Sequence, residues 1–412
     1  MKKNITKYLL LALACLGLQS CLFQEENYFD DSSANRATAD VSRCGELLKG
    51  APNGWVMEYY VGKDYSLGGI TLLCRFDGQR VTMASQMSEA DETVSSLYSV
   101  KSEQATMLSF DTYNYLVHYF GQPQGSMSDD PNGTLGGDYE FIISSASAER
   151  IELKGKKYGN RIVMKALTED QTWKQYLTRI KKVEDDAFFY EYDLLMDGLY
   201  TGQMIRSNYT FIVTYYDEIG KVHQKTVPFM FTADGLRFHE PVTIDGQTMQ
   251  NFVWKNEEIS FVCTDEGATG VKMKGIYIDG YQSYDYYPGT YLMDFYRLNG
   301  ATNQLEVASQ EIQLVKNEDG KSYWLKGLEY DILVTYDKPR GGLSILPQFL
   351  KKVQGGYVYL AMWDLMNDYV LRSSAIGLIS YPTTDGIYLV DNGVWMGEIS
   401  GFIFGVYDSQ DE

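Results

Sequence analysis

The chain has 412 residues, with 55 Asp and Glu against 36 Lys and Arg, a formal net charge of -19. A surface this acidic repels phosphate backbones and anionic headgroups, which excludes nucleic acid as a partner. The length allows two or three domains, each with core enough to fold without staples.

The first segment is a targeting signal. Lys2, Lys3 and Lys7 precede an apolar run over 8–18, followed by Leu18-Gln19-Ser20-Cys21. A charged start, a short apolar stretch and a small residue before the cut describe a secretory signal over 1–20. The run is too short to span a bilayer, which takes about 20 residues. Leu-x-Ser-Cys resembles a bacterial lipobox, in which Cys21 is lipidated and becomes the mature N-terminus. An ordinary signal with an incidental Cys21 is the alternative. Loss of Lys2, Lys3 and Lys7 takes the charge to about -22. Residues 21–31 read as a lipidated acidic tether. Its Leu22-Phe23-Gln24-Glu25-Glu26 resembles the signal that exports Bacteroidota lipoproteins to the outer face of the outer membrane. The expected location is therefore the outer membrane, lipid-anchored and facing the exterior.

Beyond the tether the composition describes β-sheet. There are 34 Tyr, 18 Phe and 6 Trp, and only 9 Pro against 38 Gly. Aromatic and β-branched runs broken by Gly, Asn and Asp are the pattern of strands and turns. A helix opens first. Ser32 or Ser33 serves as N-cap, Ala34, Ala37, Val41, Cys44 and Leu48 recur at helical spacing, and Gly50, Pro52 and Gly54 end it. Strands are expected at 55–61, 70–76 and 80–84, the last two joined by a hairpin at Asp77-Gly78-Gln79. A long aromatic strand is expected over 108–120, then a polar loop to 137, then strands at 139–143, 151–154 and 161–167. Helices are expected from Glu169 to Ile180 and over 185–196. Further strands follow at 209–216, 226–232, 236–238, 251–254, 259–263 and 271–274.

Two short patterns recur. Phe76-Asp77-Gly78 is echoed at Ala233-Asp234-Gly235, and the Lys-Gly exit at Lys154-Gly155 is echoed at Lys274-Gly275 and Lys326-Gly327. They mark either a repeated β-module or a common way of ending a strand. The Tyr-rich stretch 277–288 ends in Pro288-Gly289 and forms the junction. Eight or nine short strands follow it, the spacing of a barrel or sandwich.

Several motifs stand in a fixed order: Ala51-Pro52-Asn53-Gly54-Trp55 with Glu58-Tyr59-Tyr60, Leu108-Ser109-Phe110-Asp111-Thr112-Tyr113-Asn114, Gly136-Gly137-Asp138-Tyr139-Glu140-Phe141, and Leu153-Lys154-Gly155-Lys156-Lys157 with Gly159-Asn160. Over about residues 30–170 they resemble the Bacteroidota lipoproteins of the domain-of-unknown-function 4302 family. The resemblance implies a cell-surface lipoprotein associated with outer-membrane nutrient uptake. It transfers no activity and no site residue.

Motifs of known chemistry are sparse. The histidines are His118, placed in the aromatic strand, His223 and His239. His239-Glu240-Pro241 is not the helical zinc motif, because proline breaks that helix. No nucleophile elbow, phosphate loop or zinc spacing occurs. Asp129-Asp130-Pro131-Asn132-Gly133 and Asn317-Glu318-Asp319-Gly320 offer oxygen ligands, but such sequences are first of all turns. Cys44, Cys74 and Cys263 are expected as three buried thiols, with one disulfide plus a free thiol as the alternative.

The expected fold is thus mainly β with a few helices. A helix-plus-antiparallel-sheet region over 32–280, with a sub-boundary near 182, precedes an all-β domain over 285–412, a barrel (lipocalin-like among the options) or a sandwich. The expected function is non-catalytic: a surface lipoprotein that binds a small ligand or a partner, such as an outer-membrane receptor, through Tyr281, Tyr284, Tyr286 and Tyr287, which bury area at low entropic cost. No cofactor or metal is expected. The rivals are a surface hydrolase with a carboxylate site and a structural accessory to an outer-membrane receptor. A cleft with facing carboxylates favours the first, an aromatic platform favours binding, and a large apolar patch favours the accessory.

Overall fold

The computed structural model describes residues 32–123, 133–217, 219–302, 304–382 and 386–408. The signal, the tether with Cys21, and Asp129 to Asn132 lie outside these residues. The chain divides into two compact units. One runs to Lys181 and includes Pro228–Ala233, and the other comprises Lys182–Val227 and the residues from Asp234 onward.

Helix α1 (Ser33–Lys49) starts as its sequence dictates. The Ser32 hydroxyl accepts the Asn35 N–H at 3.2 Å, and the Gly50 N–H closes the far end on the Leu47 carbonyl. The helix packs on three strands of the first barrel. That barrel is an eight-stranded antiparallel meander of β1 (Trp55–Tyr60), β2 (Gly69–Phe76), β3 (Arg80–Ser85), β4 (Val94–Ser102), β5 (Thr106–Phe110), β6 (Glu140–Ala146), β7 (Arg150–Gly155) and β8 (Arg161–Ala166). It closes through β1 and β8, with Trp55 opposite Ala166, so no edge is left open. Alternating residues such as Trp55, Met57, Tyr59, Leu72, Cys74 and Phe141 are fully buried, as expected of eight strands filled by side chains.

The expected strand over 108–120 stops at Phe110. Asn114 turns the chain: its side chain accepts the Leu116 N–H at 3.1 Å and caps the one-turn helix α2 (Tyr115–His118). His118 is therefore on a helix rather than a strand. Local side-chain capping outcompetes the aromatic run's strand preference.

Helix α3 (Trp173–Asp186) begins later than expected, at a reciprocal capping box. The Thr172 hydroxyl accepts the Gln175 N–H, and the Gln175 carboxamide accepts the Thr172 N–H. The second barrel consists of β9 (Glu191–Met196), β10 (Leu199–Ser207), β11 (Thr210–Tyr216), β12 (Val222–Phe231), β13 (Gly235–Ile244), β14 (Gln247–Lys255), β15 (Ser260–Cys263) and β16 (Val271–Ile276), closed by β16 on β9. The helix expected over 185–196 thus ends at Asp186, and its second half is a strand. Tyr192, Leu194 and Met196 alternate inward, a period of two. Asp197-Gly198, both at positive φ, makes the tight hairpin to β10, a strand the sequence reading passed over.

The two barrels repeat one architecture, yet the recurring motifs do not mark it. Asp77-Gly78 joins the second and third strands of the first barrel, while Asp234-Gly235 joins the fourth and fifth of the other.

The C-terminal region is a sandwich. One sheet has the order β17 (Gly289–Asn299), β18 (Gln304–Lys316), β19 (Ser322–Lys326), β20 (Ile332–Asp337), β21 (Gly342–Ile345), β25 (Leu378–Pro382), β26 (Ile387–Asp391). The other has β23 (Gly356–Asp364) paired with β22 (Gln348–Val353), β24 (Tyr369–Leu371) and β27 (Gly401–Tyr407). One core joins them: Ile312, Tyr323 and Val334 from the first sheet meet Leu360 and Met362 from the second. The fold is mainly β with a few helices. Its closed barrels lie in the N-terminal region and its sandwich at the C-terminus.

Candidate functional site

The four tyrosines singled out in the sequence differ in exposure: Tyr287 is buried, Tyr281 and Tyr284 are half-buried, and Tyr286 is exposed. Tyr287 is fully buried, and its hydroxyl donates to the Gly341 carbonyl at 2.7 Å. Tyr284 stacks on Tyr323 at 4.7 Å and donates to the Ser322 carbonyl. The Tyr281 and Tyr336 hydroxyls are hydrogen-bonded at 3.1 Å, with Tyr336 donating to the Gln282 carbonyl at 2.8 Å. Burial raises all three phenols above their ordinary pKa. Tyr287 is therefore core packing rather than a contact residue, because a ring with no exposed surface meets no partner. Of the four, Tyr286 is the exposed one, at 49 %.

Tyr281 also stacks on Phe188, 5.9 Å away, beside an open cleft of about 550 Å³ lined by Glu184, Asp185, Phe188, Tyr190, Arg206 and Lys338. Its carboxylates are engaged. Asp185 accepts Lys338 Nζ at 2.9 Å, with that ammonium 5.1 Å from the Phe188 ring centre. Glu184 accepts the Tyr209 hydroxyl at 2.9 Å and faces Arg206 at 3.4 Å. The carboxylates of the cleft are thus held in ion pairs.

The turn and histidine motifs are engaged within the fold. Asp319 accepts the N–H groups of Lys321 and Ser322 and forms the turn between β18 and β19. His118 Nδ1 faces the Asn114 backbone at 3.1 Å, and His223 Nε2 lies 2.9 Å from Asp217. Among the described residues no group of His, Cys, Asp or Glu is placed to hold a metal ion, and no helix is long and apolar enough to cross a membrane. Cys44, Cys74 and Cys263 are buried free thiols.

A further surface feature is the outer face of the four-stranded sheet. Alternation on β23 sends Val358, Leu360 and Met362 into the core and Tyr357 and Tyr359 outward. Register sets Phe349 of β22 opposite Tyr359, Lys352 opposite Tyr357, and Tyr407 of β27 opposite Tyr357 on the other side. The rings meet at angles: Phe349 to Tyr359 at 5.6 Å and Tyr359 to Tyr407 at 5.9 Å. Arg372 lies over both Tyr407, at 4.5 Å, and Tyr359, at 5.1 Å, and Lys352 lies over Tyr357. Gly405 stands opposite Tyr359, and a Cβ there would be 2.8 Å from the Tyr407 ring, so the glycine makes room for it. The sequence reading missed this face. Phe349, Tyr357, Tyr359 and Tyr407 come from three separate segments, and β22 was not foreseen. The Phe349-x-x-Lys352 and Tyr357-x-Tyr359 spacing was the available signal.

Two family models match. "Domain of unknown function (DUF4302)" covers residues 25–256, more than half of the chain, and a second domain of unknown function, DUF4987, covers residues 264–394. No curated protein matches. Among solved structures, a chain from the Pseudomonas aeruginosa MucA/MucB complex aligns at 11% identity over 86% of this chain and 91% of that one, with a TM-score of 0.11.

Proposed function

This chain belongs to the family Domain of unknown function (DUF4302), and from that premise we propose a non-catalytic Bacteroidota lipoprotein, anchored to the outer membrane through Cys21 and facing the exterior, that binds a ligand or partner protein for nutrient uptake. The aromatic outer face built from Phe349, Tyr357, Tyr359 and Tyr407 carries the binding reading. Aromatic rings supply contact area at low entropic cost. The lipobox-like Leu18-Gln19-Ser20-Cys21 supports the anchor. Acyl chains hold by about 0.8 kcal/mol per buried CH₂.

The test follows unfolding of the soluble protein, starting at Leu22, against glycans, haem, metal ions and peptides. A ligand bound to the native state raises the midpoint by mass action. A rise with one class that Tyr359→Ala removes upholds the reading, and no rise with any class sinks it. Palmitate labelling in cells, lost in Cys21→Ala, checks the anchor.

One observation favours the accessory as a second reading. On the hairpin of β17 and β18, Leu292, Tyr296, Leu305 and Val307 share one outer face by register and are 41–72 % exposed. Exposed apolar patches mark contact sites. Co-purification of a receptor from outer membranes, abolished by Tyr296→Asp, would support it.

A further inference from the structure

Charge on the aromatic face runs against the rest of the molecule. The whole chain is at -19. Yet the two cations that lie over its rings are Lys352 on β22 and Arg372, which follows β24 directly. The one carboxylate within the four strands is Asp364, and exposed Asp368 and Asp408 stand at strand ends. Lys351 is on the other side, opposite Val358, with its ammonium 4.6 Å from the Tyr330 ring centre. Asp364 has no exposed surface and is used internally, accepting from Trp395 Nε1 at 3.0 Å and from the Asn367 carboxamide at 2.8 Å. Among the described residues Lys352 makes no ion pair, and its ammonium sits 5.4 Å from the Tyr357 ring centre. Cations lie over rings here, so apolar stacking surface and positive charge occupy one patch.

We propose that this face takes an acidic polysaccharide, resting on the binding reading above. The apolar faces of its sugar rings stack on Phe349, Tyr357 and Tyr359. Its carboxylate or sulfate groups are met by Lys352 and Arg372. A guanidinium fork matches carboxylate and sulfate geometry, and an aromatic bed holds the fork in plane. Neutral glycans use the stacking alone. The net negative charge of the remaining surface repels an acidic polymer, which confines such a chain to this face.

The probe is polygalacturonate, with amylose and polyglutamate as the neutral-sugar and acidic-peptide comparisons, titrated into the soluble protein by calorimetry. Expected is binding of polygalacturonate that is tighter than amylose by about tenfold, from charge-assisted contacts. Salt should weaken it, because the screening length falls from about 10 Å at 0.1 M to about 3 Å at 1 M. Lys352→Gln and Arg372→Gln should remove the advantage over amylose, whereas Tyr359→Ala should weaken both sugars. An unchanged unfolding midpoint confirms that each variant is folded, and Lys352→Gln, on an exposed side chain, keeps the test valid if Arg372→Gln unfolds. Equal affinity for amylose, or equal affinity for polyglutamate, overturns the assignment to acidic sugars. Failure of polygalacturonate beside a Tyr359-dependent hit from another class overturns this inference alone. Failure of every class overturns the binding reading with it.

Discussion

Asp138 and Gly155 occupy each other's space: a Cβ on Gly155 would lie 2.0 Å from Asp138 Oδ2. The same carboxylate accepts the Lys157 N–H at 2.7 Å, and the Asp138 carbonyl accepts the Tyr59 hydroxyl at 2.8 Å. Asn160 Nδ2 reaches the Gly136 carbonyl at 3.1 Å. These are the residues of the family motifs, and they brace the first barrel rather than form a site. Gly155→Ala should destabilise the protein by about 1–3 kcal/mol, the usual cost of overpacking. Asp138→Ala should also destabilise it, yet the double variant should recover part of the loss. Urea unfolding of the four species gives the coupling, and additive losses would contradict the clash.

The place of Tyr287 is tested by two substitutions. Tyr287→Phe leaves the Gly341 carbonyl without its 2.7 Å partner and should cost about 1–2 kcal/mol. Tyr287→Ala opens the sandwich core and should cost about 3–5 kcal/mol. Unfolding midpoints check both. Full stability of Tyr287→Ala would mean that the ring is not core.

Four side chains on the first barrel predict an acid transition. Lys101 and Lys156 both contact Glu103 and Glu140, at 2.8–3.2 Å. Hydrogen bonds from Lys101 and then Lys156 hold Glu140 below its ordinary pKa, and bonds from Lys156 and then Lys101 do so for Glu103. Depressed carboxylates contribute stability above the ordinary range, and that contribution is lost as pH falls through their folded values. The midpoint should therefore fall below about pH 5. In Lys101→Met/Lys156→Met the fall should be shallower, and an unchanged slope would refute the network. Because these groups are exposed, 1 M salt should reduce the difference.

The thiols should be inert in the native state. Burial pushes the Cys263 thiol up to about 11 and raises those of Cys44 and Cys74. A thiol attacks only as thiolate. An aromatic disulfide reagent at pH 8 should therefore label the soluble protein slowly when native and at three sites once denatured. Fast native labelling would show that the cores open.

Local chemistry was legible where a few neighbouring residues decide the outcome. Ser32 caps α1, Asp77-Gly78 turns β2 into β3, and the spacing after Tyr291 marks most strands of the C-terminal domain, β22 and β24 apart, without deciding between barrel and sandwich. The readings that failed were contests between two local preferences. Glu191 to Met196 has helix-forming residues but alternating burial, and pairing with β16 decided for strand. Asn114 stopped an aromatic run that had every other mark of a strand.

By itself the sequence determined the β class, the caps and turns, the family, and an acidic surface poor in catalytic motifs. Those follow from composition and from contacts within a few residues. Closure of two barrels, burial of Tyr287 beside Gly341, and assembly of Phe349, Tyr359, Arg372 and Tyr407 into one face were decided by tertiary structure. Strand register places residues far apart in sequence side by side, and outside a hairpin no local pattern encodes which strands will be neighbours.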